Sequence, residues 1–419
     1  MSQLIDGSIA TGYELTIAKT LEEVEALRLE WEALQGRQSY PVPNADIDRY
    51  ISVVEPQRDR VEPCVMHLRL NGESVAILVG RLERHTIKCR IGYKALLSPS
   101  LRCLTVVYGG ILGEPADEVY RILIESLSRI LRGGQADMVW FNQLRMDSAM
   151  YRIAREMTGF FSRSHFAKAE PHWVTLLGPR GQESGAQGAS QRKRYVKRYT
   201  KKLEKQCGGP VRVACYRDES DVDQYVRVSA AIAESTYKAG MGVGFADTAL
   251  NRSIMLQAAR KGQWRGYILY AGERACAFEY GIQYHSVYFP DNIGYDPELR
   301  ACSPGTVLFI KVLEDLAENA RVTTFDFGFG AGVYKDRFGT ESWPEASLYI
   351  FAPRPRPILI NLFDSSIRGM SLALARLAHK AGWAARVKTW WREFLRKSKD
   401  KSNKSPSGDG NPADKKGSK

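Results

Sequence analysis

Apolar residues along the chain recur with period two in some stretches and near 3.6 in others, which predicts strands and helices in mixed order. "YELTIA" (13–18) reads as a strand, and "LEEVEALRLEWEAL" (21–34) as an amphipathic helix capped by Thr20. "CVMHLRLNGESVAILVGRLERH" is two apolar-rich runs joined by Asn71-Gly72, the signal of a hairpin. "TVVYGGILG" is a short buried strand and "ADEVYRILIESLSRILRGG" a helix stopped at Gly133-Gly134; "DMVWFNQL", "DSAMYRIAREMTGFF" and "HWVTLL" follow as strand, helix and strand.

A second series then repeats that order. "VRVACYR" is a strand, followed by the helices "SDVDQYVRVSAAIAESTYKAG" and "DTALNRSIMLQAARKG". "WRGYILYAGERACAFEYGIQYHSVYF" holds successive strands turning at Ala271-Gly272, before the helix "TVLFIKVLEDLAENA" and the strands "TTFDFG" and "ASLYIFAP". Strand, loop, helix and strand share order and length at 105–142 and 287–328, a duplication of architecture without residue identity. The expected fold class is α/β with mixed sheets, in two tandem domains at 1–177 and 210–353. Between them lie a Gly/Ser/Gln-rich linker and a basic helix, together 178–209, stopped by Cys207-Gly208-Gly209-Pro210. After "PRPRP", a basic, Trp-rich amphipathic helix is expected within 354–397, with Ile367, Met370, Leu374, Leu377 and Ala381 on one stripe and Trp383, Trp390 and Trp391 beyond. The Lys/Ser/Gly/Pro-rich end, 398–419, is expected to be disordered.

At 419 residues and 44% hydrophobic, the chain can bury two cores of about 150–200 residues each. Its net charge of +13 is local: 191–205 holds eight Lys/Arg against one Glu, and 380–419 twelve against four acids. The remainder is slightly acidic, which argues against a DNA-binding protein. The seven cysteines form no C-x-x-C pair and no His stands at metal-ligand spacing, so reduced thiols in a cytoplasm and no metal are expected. The start lacks the basic and apolar regions of a signal peptide, and no run reaches the roughly 18 apolar residues of a membrane span.

Two constellations carry candidate chemistry. In "GYDPELRACSPGTVLF", Ser303 stands at an N-cap position with Pro304 at the first helical residue. The amides of Gly305, Thr306 and Val307 would then point out of the helix unpaired, where a phosphate binds, with Arg300 adding charge. In "TTFDFGFGAGVYKDRFGTE", a strand carrying Asp326 runs through three glycines into Tyr334 and Lys335. Such a turn brings backbone close to a ligand and places a hydroxyl and a cation beside it.

These two segments, with the basic helix "SQRKRYVKRYTKKLEKQCGG", resemble the GNAT superfamily. More narrowly, they resemble the two-domain acetyltransferases of cellulose and other exopolysaccharide biosynthesis, relatives of the FemAB-like aminoacyl transferases. The resemblance implies tandem GNAT-like folds with an acyl thioester, acetyl-CoA or another acyl-CoA, on the second. It implies a pyrophosphate site at Arg300, Ser303, Gly305, Thr306 and Val307. Only Gly305 matches the family's glycine-rich loop. The first domain's matching loop, "GEPADEV", is acidic, so that domain is expected not to bind the donor.

Acyl transfer needs a deprotonated acceptor, a stabilised oxyanion and a protonated leaving thiolate. Glu279 is then the candidate base, Tyr334 the acid and Lys335 the stabilising cation, with Asp326 behind them. His285 is read as structural, and Cys302 is rejected as a nucleophile for want of a His companion. The expected activity is acyl transfer to an amine or hydroxyl of a small or lipid-linked sugar or envelope precursor. The expected location is cytoplasmic, with the C-terminal basic helix offering peripheral membrane contact. Two alternatives stand beside it: an aminoacyl-tRNA-dependent FemAB-like transferase acting on a peptidoglycan precursor, with tRNA as partner in that case alone, and a non-catalytic scaffold of a polysaccharide-synthesis complex.

Overall fold

Among the described residues thirteen strands join in one continuous sheet, built from two similar halves facing each other across its middle. A computed structural model describes residues 12–91, 94–113, 115–177, 186–234, 245–318, 321–330 and 332–380. The first half runs through β1 (Tyr13–Ala18), α1 (Leu21–Glu25), α2 (Arg28–Gly36), α3 (Ile47–Val54), β2 (Glu62–Pro63), β3 (Val65–Leu70) and β4 (Glu73–Thr86). A small hairpin, β5 (Cys89–Ile91) and β6 (Lys94–Leu97), precedes β7 (Ser100–Leu112), α4 (Asp117–Arg132), β8 (Met138–Arg145), α5 (Ala149–Met157) and β9 (Glu170–Leu176). The second half holds α6 (Ala186–Cys207), β10 (Val211–Tyr216), α7 (Val222–Glu234), α8 (Ala249–Arg260), β11 (Trp264–Ala271), β12 (Arg274–Tyr284) and β13 (Val287–Tyr295). It ends with α9 (Pro304–Glu318), β14 (Thr324–Phe329), α10 (Val333–Phe338), β15 (Glu341–Phe351) and α11 (Pro355–Lys380).

Strand order is β1-β3-β4-β7-β8-β15-β9-β14-β13-β12-β11-β10, with β2 against β4. In each half one pair is parallel, and only briefly: Cys103–Val106 of β7 against Met138–Phe141 of β8, and Val287 and Tyr288 of β13 against Thr324 and Phe325 of β14. The halves exchange their last strands. β15 runs antiparallel to β8, with Ala346 opposite Leu144, while β9 runs antiparallel to β14, with Thr175 opposite Phe325. The two exchanged strands also pair with each other from Glu341↔Val174 to Glu345↔Glu170.

The sequence pattern explains the packing. On α4, buried Val119, Leu123, Leu127 and Ile130 recur every three or four residues, acids open the helix, and Arg129 and Arg132 close it before Gly133. That stripe meets Phe141 and, from the exchanged β15, Leu348 and Ile350. The other face of the first half is covered by α2 and α3 through Trp31, Ile47 and Tyr50. In the second half, Leu203 of α6 and Val307 and Leu308 of α9 fill one face, and α7 and α8 cover the other.

The stretch read as one helix over 21–34 breaks at Ala26–Leu27, although Thr20 caps it as expected by accepting from Glu23 N at 3.1 Å. The short strand at 105–113 is the end of a 13-residue strand bulged between Leu78/Ile111 and Gly80/Val106. There Gly109 takes φ +68°, and a Cβ on it would collide with Val42. α3, which the strand and helix pattern above passes over, carries Ile47, Tyr50, Ile51 and Val54 at helical spacing behind its cap Asp46.

By contacts the chain divides into two compact units, 1–87 with 99–361, and 88–98 with 362–419. Both halves of the large sheet belong to the first. The described part of the second comprises the β5–β6 hairpin and the helix from Leu362 onward, where Arg368 pairs with Asp364 at 2.6 Å. Trp383, Trp390, Trp391 and the tail lie outside the described residues, as does 178–185 of the linker. No helix among the described residues is long and apolar enough to cross a membrane.

Candidate functional site

β13 feeds a short 3-10 turn, Pro297–Cys302, that Asp296 caps by accepting from Glu298 N at 2.9 Å. Ser303 then enters α9 in the left-handed region, φ +49°, and not as the extended N-cap expected. Its carbonyl accepts the amides of both Thr306 and Val307 at 3.1 Å. Of the three amides expected to be free, Gly305's alone is not bonded among the described residues. Arg300, Ser303, Gly305 and Thr306 nonetheless line one cavity of 790 Å³ together with Tyr334 and Phe278. The Val307 side chain is fully buried in the core beneath it.

The glycine-rich stretch is a strand end locked by a lysine. Lys335, 7% exposed, donates from Nζ to the carbonyls of Phe329 at 2.7 Å and Gly328 at 3.2 Å. Burial pulls its pKa below the ordinary lysine value, against the pull of Asp326 and Glu170. Tyr334, its neighbour on α10, is half exposed and packs its ring on Phe309 and Phe327. Burial, with the Glu279 carboxyl nearby, raises its hydroxyl above the usual range. Glu279 lies on the sheet face opposite Phe278, 1% exposed, and neither carboxyl oxygen has a partner among the described residues. Burial pushes it up to about 8. His285 stands in the turn after β12 with φ +51°, and Cys302 donates to Gln206 at 3.0 Å, away from the charged groups below.

Asp326 belongs to a cluster that pattern reading missed. His172 of β9, wholly buried, bonds Asp326 through Nε2 at 2.7 Å and Glu345 of β15 through Nδ1 at 3.1 Å. Tyr40 donates to the other Asp326 oxygen at 2.8 Å, and Gly328 N to the first at 2.6 Å. Glu345 accepts from Trp343 Nε1 at 2.8 Å and from Tyr108 at 3.2 Å. The Trp343 ring stacks on the imidazole at 4.5 Å. Burial works against charge on His172, but its two carboxylate partners outweigh it and lift the pKa to about 9. The cluster thus joins a loop, β7, and the strands β9, β14 and β15 at the seam of the two halves.

Two cavities open on this seam. One of 460 Å³ lies in the first half over the glycines of the β7 bulge and reaches Tyr40, Trp343 and Glu345. The other, of 330 Å³, lies between Phe289–Asp291 of β13 and Asp326–Phe329 of β14. Tyr108 and Asn142 line both. Along β13, Asp291 faces this cavity and Ile293–Tyr295 the 790 Å³ one. The structure therefore brings Arg300, Ser303, Gly305, Thr306 and Tyr334 to one cavity and Asp326 to another, and buries Lys335, Glu279 and Val307 outside the lining of both. Among the missed residues, the Tyr108-Gly109-Gly110 interruption inside an apolar strand was the available signal of a bulge. His172 and Glu345 gave none, being 173 positions apart. Among the described residues no group of three or more His, Cys, Asp or Glu is placed so that it could hold a metal ion.

Residues 190–336 match the family of GNAT acetyltransferase domains. Among curated proteins no sequence matches the chain. Of solved structures, FemX superposes with TM-score 0.53 at 11% identity, over 80% of this chain and 98% of its own. The C-terminal domain of a putative lysylphosphatidylglycerol synthetase from Agrobacterium fabrum gives 0.50 at 10%, over 83% and 97%. A tandem GNAT protein of the clavulanic acid pathway gives 0.47 at 11%, over 82% and 99%. At such identities the likeness is one of fold, and the family match falls on the half with the 790 Å³ cavity. Residues 190–336 are therefore matched as a GNAT acetyltransferase domain, and the chain as a whole shares the fold of FemX.

Proposed function

We propose that the chain transfers an acyl group, acetyl from acetyl-CoA, to an amine or hydroxyl of a sugar or cell-envelope precursor. The observation that carries this reading is the convergence of Arg300, Ser303, Gly305, Thr306 and Tyr334 on one cavity of 790 Å³ at the start of α9. Arg300 and the Gly305 amide supply the cation and the donor a pyrophosphate needs. Val307 contributes from beneath, anchoring the first turn of the helix in the core. Tyr334 keeps its proton at neutral pH because burial and Glu279 raise it, as a general acid for a leaving thiolate requires. Glu279 takes the acceptor's proton through a water in its ionised form, which burial makes the minor one at neutral pH. Lys335 acts through the backbone it holds.

A melting-temperature shift with millimolar acetyl-CoA tests the reading. We expect a rise of several degrees in the natural chain and most of it lost in Arg300→Ala. No rise at millimolar ligand would sink the CoA assignment.

One observation favours the aminoacyl-tRNA alternative. The cations of α6 from Lys193 to Lys205 are exposed, and among the described residues none pairs with an acid; Lys193, Lys197, Lys201 and Lys311 edge a shallow cavity of 370 Å³. Aminoacyl-tRNA binding that falls steeply with salt would favour it over CoA.

A further inference from the structure

The second compact unit joins the β5–β6 hairpin, inserted between β4 and β7, to the later turns of α11. Cys89 of β5 and Asp364, Ser365 and Ile367 of α11 form its buried side. Burial, and after it the Asp364 carboxylate, push the Cys89 thiol up to about 11, which sets hairpin and helix side by side. Arg368 holds the same carboxylate at 2.6 Å.

The outward side of this unit is apolar. Along α11, Phe363, Ser366, Met370 and Ala373 recur at helical spacing, and all four are exposed with no charge among them. Leu372 beside the stripe is exposed too, as are Leu96 and Leu97 of β6. The five large side chains of this set each keep 42–50% of their surface in solvent. None lines the 790, 460 or 330 Å³ cavities, so the sites described above do not account for them. Single exposed leucines need no explanation, but five large apolar groups on one small unit mark a surface with a partner.

Charge selects the partner. Segments 88–98 and 362–380 hold six Lys/Arg against one acid, and that acid, Asp364, is already paired with Arg368. Lys88 and Arg90 of β5 are exposed. Past Lys380, residues 381–397 add five Lys/Arg and three Trp against Glu393 in sequence. A second copy of this chain would bring like charges together around the same apolar groups. A nucleic acid would use the cations and leave the apolar stripe in water. An anionic bilayer uses both, its headgroups meeting the cations and its acyl boundary the apolar side chains.

We propose that this unit is a docking surface for an anionic lipid bilayer, with Leu96, Leu97, Phe363 and Met370 entering the boundary between headgroups and acyl chains and Lys88 and Arg90 meeting lipid phosphates. The inference uses no residue of the donor cavity and stands whichever donor is bound there.

Flotation of the full chain with vesicles tests this, using phosphatidylcholine alone and phosphatidylcholine mixed with phosphatidylglycerol. We expect binding to the mixed vesicles that salt weakens, and binding at least about tenfold weaker to phosphatidylcholine alone. Phe363→Asp with Met370→Asp should lower binding to the mixed vesicles at least about tenfold. The melting temperature should change little, because both side chains stand in solvent. Lys88→Glu with Arg90→Glu should weaken the headgroup contact to a similar extent, and carries the test if the first pair disturbs folding. No binding to the mixed vesicles overturns the proposal. So does binding that neither pair weakens, which would place the contact on another basic segment such as α6. A dimer in sedimentation equilibrium that Phe363→Asp with Met370→Asp dissolves, with no vesicle binding, would make the surface a self-interface and overturn it as well.

Discussion

His172 is wholly buried between Asp326 and Glu345, and its charge is what keeps two carboxylates together inside the protein. Its folded pKa, about 9, lies above the ordinary histidine value of 6.5. A raised pKa stabilises the fold fully below the unfolded value and loses that contribution as pH climbs through the folded one. A shift of this size corresponds to a ceiling of about 3 kcal/mol. Urea denaturation should therefore give a midpoint that falls between pH 6.5 and 9.5. In His172→Gln the fold should be weaker by about 3–5 kcal/mol at pH 6.5, since the carboxylates lose their counter-charge, and the decline over this window should flatten. A parallel decline in both proteins would show that another group titrates. Removing the repulsion with Asp326→Asn in the His172→Gln background should restore part of the loss.

At the scale of elements, the end of β14 is held past Phe329 by one bond to β9, Gly330 N to the Pro171 carbonyl at 3.0 Å, and Lys335 of α10 closes it by binding two carbonyls. Lys335→Met keeps the buried stem and removes both bonds, which should lower stability by about 1–3 kcal/mol. If Lys335 works by holding this loop, the melting temperature and the transfer rate should fall together while the donor KM stays level; an unchanged rate would remove it from the machinery altogether. The same element shows how far pattern reading reaches. Periodicity found α4 and α9, whose stripes are continuous, and the glycines of 328–332 announced a turn. It placed Tyr334 and Lys335 side by side in sequence as partners at one reacting carbonyl. A single helical turn instead points Tyr334 into the donor-sized cavity and Lys335 back under the strand. Adjacent residues on a helix do not face the same way, and a helix of six residues is too short to leave a periodic signal. The cap at Ser303 was misjudged for a related reason, because left-handed entry is decided by the preceding turn and not by the Ser-Pro pair.

For the whole molecule, the exchange of β9 and β15 is the feature that local pattern cannot carry, since strand partners far apart in sequence are set by tertiary packing. Both strands are readable as strands; nothing in them says that Leu348 and Ile350 complete the core of the first half. The consequence is that neither half owns a finished sheet, and the His172 cluster forms only where both are present. A fragment ending at residue 177 would leave the β8 edge bare and the α4 stripe without Leu348 and Ile350. Exposed apolar edges of this kind aggregate. We expect that fragment to be insoluble or unfolded, and a fusion of 12–177 to a flexible linker and residues 341–352 to recover soluble, helical and cooperatively melting protein. If the bare fragment melts as cooperatively as the fusion, β9 has folded back onto β8 and the exchange is dispensable. If the fusion alone folds, the full chain should unfold in one transition by both circular dichroism and tryptophan fluorescence, because a core shared through exchanged strands cannot be lost from one half and kept in the other.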